Sequence, residues 1–417
     1  MTIAVSEARS RVSTWLVALL VLAMFINYAD RGSLSVASPL LKDQLAISNG
    51  QMGLLLSAFF WTYAFAQPFA GWLTHRFDVR AVLAGGLALW GCATFFSGFA
   101  DSFLMLFALR TLLGLGESVI FPANARIISC LPETLRGGIN GCISAGMALG
   151  PSLGTLASGL ILATWGWRAV FLGLGAVSLL WLPLWLTVPR LHAHEDRETP
   201  AERVPAFTEI LTQRALWGAA TGHFCANYQY YLLLTWLPLF LVKSVHLSLV
   251  AMAWVGAGVF AMQSLASILG GALSDFVLRR GLPATAVRKV TVLIGAVGCG
   301  VMLFLAAFAT PQWVILWLVL AAVCQGIISP MIFTIGQTLS GPAAGGRWMG
   351  VQNLVANLAG ISAPIVTGII VDKTGSFQDA FLIAAALSIV AFFAWAIVIE
   401  RVEPVAWRSA ILLAAEA

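Results

Sequence analysis

Apolar runs of about 20 residues or more recur along the whole chain, and each is long enough to cross ~30 Å of hydrocarbon as a helix. They predict helices at about 14–39, 51–74, 80–100, 102–126, 138–164 and 168–189, then at 215–242, 248–274, 287–309, 311–340, 347–371 and 377–400. Between the sixth and seventh lies the one long polar stretch, Arg190 to Arg214, with LHAHEDRETPAERVP at its heart. The pattern predicts an all-α membrane protein of twelve transmembrane helices. Two six-helix bundles, 1–189 and 215–417, flank a cytoplasmic linker at 190–214.

The two halves look alike. Asn27-Tyr28 in helix 1 recurs as Asn227-Tyr228 in helix 7. Gly71 and His75 at the end of helix 2 align with Gly271 and Asp275 at the end of helix 8, and Pro151 in helix 5 answers Pro364 in helix 11. Coincidences in the right order favour a duplicated, pseudo-symmetric six-helix unit. Transporters use that architecture for alternating access around a midplane site.

Composition agrees. Of 417 residues 60% are hydrophobic and 10% charged, and the mean hydropathy is +0.91. A soluble protein of this size cannot cover so much apolar surface. The net charge of +5 reflects topology rather than nucleic-acid binding, because the basic residues are scattered among loops. Most of those outside the helices, Arg9, Arg11, Arg76, Arg80, Arg279 and Arg401 among them, fall on the N-terminal side of the membrane. Only Lys42, Arg168, Lys243 and Lys373 fall on the other. The positive-inside rule then puts both termini in the cytoplasm of a bacterial-type inner membrane. The first apolar run is too long for a signal peptide and reads as an uncleaved helix. The six cysteines are dispersed, with no CxxC spacing. No His/Asp/Glu/Cys cluster suggests a metal or a nucleophile, so there are no catalytic, metal or cofactor residues to name. A membrane sensor would need a signalling domain that the short polar stretch cannot form.

Charge inside the apolar runs is the sharpest signal. NYADR, Asn27 to Arg31, puts a carboxylate and a guanidinium side by side in the first helix. Each costs at least ~2.5–3.5 kcal/mol in hydrocarbon, so the default reading is a functional site. Asp30 is ~13 Å from the predicted helix end at Pro39, too deep for a short side chain to reach the surface. Helix 4 carries Arg110 and Glu117 in RTLLGLGES, two turns apart on one face. Arg110 falls at about the depth of Asp30, so an Asp30–Arg110 ion pair is expected, with Arg31 left to attract an anion. Glu117 sits deeper, in a low-dielectric cavity, as a candidate proton carrier.

The second half offers amides instead. Asn227, Gln325 and Asn357 fall near mid-helix and are candidates to hydrogen-bond neutral parts of a ligand. Tyr63, in the middle of helix 2, is a candidate cavity residue. His223 reads as packing. The small-residue run GMALGPSLG, Gly146 to Gly154, reads as a hinge or close-packing element.

Several stretches together resemble a known family. They are NYADRGSLSVASP, RTLLGLGESVIFPANARIISCLPETLRGG, WGWRAVF, LLLTWLPLFL and GRWMGVQNLVANLAGISAPIVTG. They look like the anion:cation symporter family of the major facilitator superfamily. The resemblance implies proton-coupled uptake of a small organic anion, often a sugar acid such as galactonate, glucarate or a hexuronate. Protons would be the coupling ion, with no other cofactor, and the carrier would work as a monomer in the lipid bilayer. It also implies that Arg31, Tyr28, Tyr63 and Asn357 bind substrate and that Asp30, Arg110 and Glu117 couple protons. The chain departs from the usual cytoplasmic motif, with His75 for an acid and Asp78 for a glycine in GWLTHRFD. A proton-driven antiporter or exporter, and a symporter of aromatic carboxylates, are the alternatives.

Overall fold

The computed structural model describes residues 14–129, 131, 133–189 and 205–407. The larger part of the expected linker, 190–204, and Cys130 lie outside them, as does the side chain of His75.

The first pass is two helices end to end, α1 (Thr14–Arg31) and α2 (Ser33–Gln44). Then come α3 (Asn49–Arg76) and α4 (Val79–Ser97). The fourth pass is again divided, into α5 (Phe103–Glu117) and α6 (Ile120–Ser129). One continuous element, α7 (Glu133–Leu186), holds two passes that meet at Gly166. After a short α8 (Phe207–Leu211) come α9 (Arg214–Lys243), α10 (Leu249–Arg279) and α11 (Ala284–Phe308). The next two passes form α12 (Pro311–Thr374), turning at Gly341. The last is α13 (Gln378–Phe393), finished by a π-helical turn, Ala394–Val398. Among the described residues nine helical spans are apolar and long enough to cross a membrane, and the one at Gly138–Leu186 is double. With α3 and α9, which are long but more polar, the described residues make the twelve passes that the hydropathy pattern predicts.

Local chemistry explains the joints. Ser48 opens α3 with a capping box to Gln51. Asp78, the departure from the usual motif, caps α4 by accepting from the Arg80 N–H. Gly166 (φ 81°) and Gly341 (φ 62°) turn the chain between passes in a backbone region that favours glycine. The first helix does not stop at Pro39. It runs on to Gln44, so Asp30 lies about 21 Å from that end, deeper than the sequence suggests.

The described residues form two compact units, one within Met1–Glu195 and Leu241–Ala257, the other within Asp196–Phe240 and Gly258–Ala417. In the first, glycines let helices touch backbone to backbone. Gly146, Gly150 and Gly154, one turn apart on α7, face Val21 O (2.8 Å from an added Cβ), Tyr28 Cβ (2.6 Å) and Ala29 Cα (2.5 Å). GMALGPSLG is thus the ridge on which α1 lies, and it fixes where Asp30 and Arg31 point. An added Cβ on Gly114 of α5 would overlap Phe59 O of α3, and Thr62 Oγ1 donates to Thr111 O at the same crossing (2.7 Å).

The same contacts recur in the second unit. Gly86 meets Val119 as Gly295 meets Ile328, Gly91 meets Ser178 as Gly300 meets Ser388, and Gly114 meets Phe59 as Gly326 meets Gln263. Arg80 donates to Leu186 O at the end of one pass, and Lys289 donates to Ala396 O and Ile399 O at the end of another (2.9 and 2.8 Å). Interhelical register is therefore repeated, as well as the isolated residues visible in the sequence.

Gly114→Ala should lower the unfolding temperature in detergent, since forcing a methyl against backbone costs ~1–3 kcal/mol. Gly85→Ala, whose Cβ meets nothing within 4 Å, should leave it unchanged. Equal effects would show that the α3–α5 crossing tolerates slack.

Candidate functional site

Both interruptions in the first unit's helices fall beside ionisable residues. α1 ends at Arg31 and α5 ends at Glu117. The two ends meet. Arg31 Nε donates to Glu117 Oε2 at 3.0 Å, with the arginine side chain 9% exposed and the glutamate 0%. Three rings surround the guanidinium, their centroids 4.6 Å (Tyr63), 4.8 Å (Tyr28) and 5.1 Å (Phe59) from Arg31 Cζ. Phe59 and Tyr63 stack on one another at 4.9 Å. A cation held over ring faces in a dry site gains about 2 kcal/mol or more from their quadrupoles. The rings also fix its direction.

Asp30 points the other way from Arg31 and is completely buried. Its Oδ1 accepts from Ser33 Oγ (3.1 Å) and its Oδ2 from Thr94 Oγ1 of α4. Ser33 Oγ in turn accepts from Arg110 Nη2 (3.0 Å), whose guanidinium lies 5.2 Å from the Phe171 ring centroid. Two expectations need correcting here. Among the described residues Asp30 and Arg110 form no direct ion pair; a hydroxyl bridges them. Arg31 is not left to attract an anion, because Glu117 already holds it. The cause is rotation. With α1 seated on the α7 glycines, Arg31 faces Glu117, and Ser33 stands between Asp30 and Arg110.

The arrangement can exchange charge. Glu117 is the carboxylate on the Arg31 guanidinium, so a proton on Glu117 would leave Arg31 as a buried cation in need of another counter-charge. Breaking such a pair without one costs about 3–5 kcal/mol.

In the second unit the predicted amides tie helices together. Gln325 Nε2 donates to Ala226 O (2.7 Å) and Asn227 Nδ2 to Ala356 O (3.3 Å). Asn357 Nδ2 bonds Asn353 O (2.9 Å), and its Oδ1 accepts from Tyr231 (3.3 Å). Gln325, Asn227 and Asn357 thus converge on adjacent turns of α9. His223 packs edge-to-face with Phe333, and its Nδ1 lies 3.5 Å from Gln352 Nε2. Sequence reasoning missed Ser33, Thr94, Phe59 and Tyr231. Ser33 was within reach, three residues from Asp30 on the same helical face. Thr94 carried no signal in an apolar run.

The family model of the Major Facilitator Superfamily matches residues 20–287 and 243–413. A "Probable galactarate/D-glucarate transporter" of Bacillus subtilis is 26% identical, over 95% of this chain and 94% of its own. The "Hexuronate transporter" of the same organism is 29% identical, over 94% and 95%. A "Probable sulfoacetate transporter" of Cupriavidus necator is 30% identical, over 88% and 89%. Among solved structures, a bacterial homolog of the human lysosomal transporter Spinster superposes with a TM-score of 0.78 at 21% identity, covering 92% of this chain and 96% of that one.

A double-mutant cycle on unfolding in detergent, with Arg31→Ala and Glu117→Ala, should give a coupling of about 1–3 kcal/mol for the buried pair. Additive single losses would mean that the two side chains do not interact in the resting protein.

Proposed function

This chain belongs to the Major Facilitator Superfamily, a family of transporters rather than enzymes, and from that premise we propose that it carries a small organic anion into the cell together with protons. The observation that carries the reading is the Arg31–Glu117 pair inside its aromatic surround. The substrate class is supported by relatives whose names specify galactarate, glucarate, hexuronate or sulfoacetate, all of them acids. A sugar acid is the leading candidate. The three rings about Arg31 favour an aromatic carboxylate as the second reading.

A proton from outside adds to the Glu117 carboxylate and removes its charge from Arg31. The substrate carboxylate takes the place it leaves on the guanidinium, while Tyr28, Phe59 and Tyr63 keep that guanidinium in position. At Arg31 the anion replaces the charge that the proton removes, so the number of charges buried there is unchanged. Protonation of Asp30 removes the negative end of the Asp30–Ser33–Arg110 chain and loosens α1 from α5. The loaded carrier then exchanges access from one side of the membrane to the other. Protons leave at the higher cytoplasmic pH, and Glu117 returns to Arg31. On this reading the carrier works as a monomer in a bacterial-type inner membrane, with both termini cytoplasmic and protons as the only coupling ion.

The test is uptake of labelled glucarate, galactonate, glucuronate and an aromatic acid into proteoliposomes, with and without an inward proton gradient. The gradient should stimulate uptake of one acid. Arg31→Ala should reduce it by about 100-fold, the weight of one buried charge-assisted contact. Glu117→Gln should still exchange substrate across the membrane but no longer concentrate it. Uptake indifferent to the gradient, or retained without Arg31, would replace symport by exchange or export.

A further inference from the structure

We propose that Thr94 is a positioning residue of the proton site: the hydrogen bond from its hydroxyl to Asp30 Oδ2 sets the pH range in which Asp30 exchanges its proton. The proposal deepens the proton-coupled reading and rests on it for its role in transport.

Most described serines and threonines inside these helices return their hydroxyl to a carbonyl of their own helix. Ser97 bonds Ala93 O (2.8 Å), Thr74 bonds Gly71 O (2.8 Å) and Thr111 bonds Ala108 O (2.7 Å). Thr94 does otherwise. Its hydroxyl leaves α4, crosses to α1 and is donated to a carboxylate, and both residues are 0% exposed. Ser33 also serves Asp30, but its oxygen accepts from Arg110 at the same time. Removing Ser33 would therefore disturb two charges together. The Thr94 hydroxyl bears on Asp30 alone.

The backbone under Thr94 is held from two sides. Gly91 packs on Ser178, and a Cβ on Gly175 would overlap the backbone of Phe95. The hydroxyl is therefore presented by a rigid element. A hydroxyl donated to a carboxylate favours the ionised form over the acid, because a neutral acid is the weaker acceptor. Other charges bearing on Asp30 are Arg110 and Glu117 on α5; Arg31, next to it on α1, is paired with Glu117. Elsewhere, α4 carries only Arg80, bonded to Leu186 O, and the thiol of Cys92. From Gly138 to Leu186, α7 carries only Cys142 and Arg168, and the latter pairs with Asp101 at 2.7 Å. None of these substitutes for the Thr94 donor.

Thr94→Val keeps the shape and removes the donor, and Thr94→Ser keeps the donor. Two readouts apply. The first needs no substrate: infrared titration of the protonated carboxyl C=O band that Asp30→Asn removes. The second is the dependence of proteoliposome uptake on external pH, using the labelled acid of the panel that is carried best. In Thr94→Val both midpoints should move to higher pH by about one unit, the weight of one charge-assisted hydrogen bond. KM at low pH should not change, and Thr94→Ser should match the wild type. Superimposable infrared titrations for Thr94→Val and wild type overturn the proposal, as does an equal shift in Thr94→Ser or the absence of any titrating band due to Asp30. An infrared shift beside wild-type uptake that ignores pH would instead overturn the proton-coupled reading and leave Thr94 as the group that tunes Asp30.

Discussion

A buried carboxylate on a buried guanidinium, with aromatic rings around the cation, is the interaction on which the rest of this molecule depends. Arg31 and Glu117 are too deep to be solvated by bulk water, and neither is stable there alone. While ionised, each requires a partner of opposite charge. A transporter needs that constraint, because it makes the departure of one anion conditional on the arrival of another or of a proton. On the proposed reading, coupling follows from electrostatic cost, without a separate device to enforce it.

The surrounding structure serves to hold this pair in register. The α7 glycines bring α1 close enough that Tyr28 and Ala29 rest on the α7 backbone, which turns Arg31 toward α5. The α3–α5 crossing at Gly114 brings Phe59 and Tyr63 over the guanidinium. Both helices that carry the charges are interrupted immediately after them, at Gly32 and at Ser118. Interrupted helices inside a membrane are tolerated where protein or a cavity covers the backbone, and transporters place ion and substrate sites at such breaks. The second unit repeats the glycine contacts but not the charges. Its amides hold helices with neutral bonds, so among the described residues the buried ion pair lies in one half of the duplicated scaffold.

Much of this was legible in the sequence, for physical reasons. Hydrocarbon thickness sets helix length, so apolar runs alone predicted twelve passes and the turns near Gly166 and Gly341. The cost of charge in a membrane singled out Asp30, Arg31, Arg110 and Glu117. Their pairing was not legible. Four charges on two helices allow more than one set of partners, and the choice depends on helix rotation, which the packing of α1 on α7 decides. The break after Glu117 was hidden in an apolar run with no proline at that point. Thr94 was hidden too, because a threonine in such a run ordinarily bonds its own helix. Pro39 misled in the opposite direction, being accommodated inside α2.

The central claim is that the substrate carboxylate displaces Glu117 from Arg31 and that Glu117 leaves as the acid. The most direct measurement is proton uptake by the purified carrier in weakly buffered detergent as the transported acid binds. The account predicts that protons disappear from solution in step with binding, and that Glu117→Gln binds the acid with that component gone. Binding by the wild-type protein with no change in free protons would contradict it, and would mean that Arg31 and Glu117 stay together throughout the cycle.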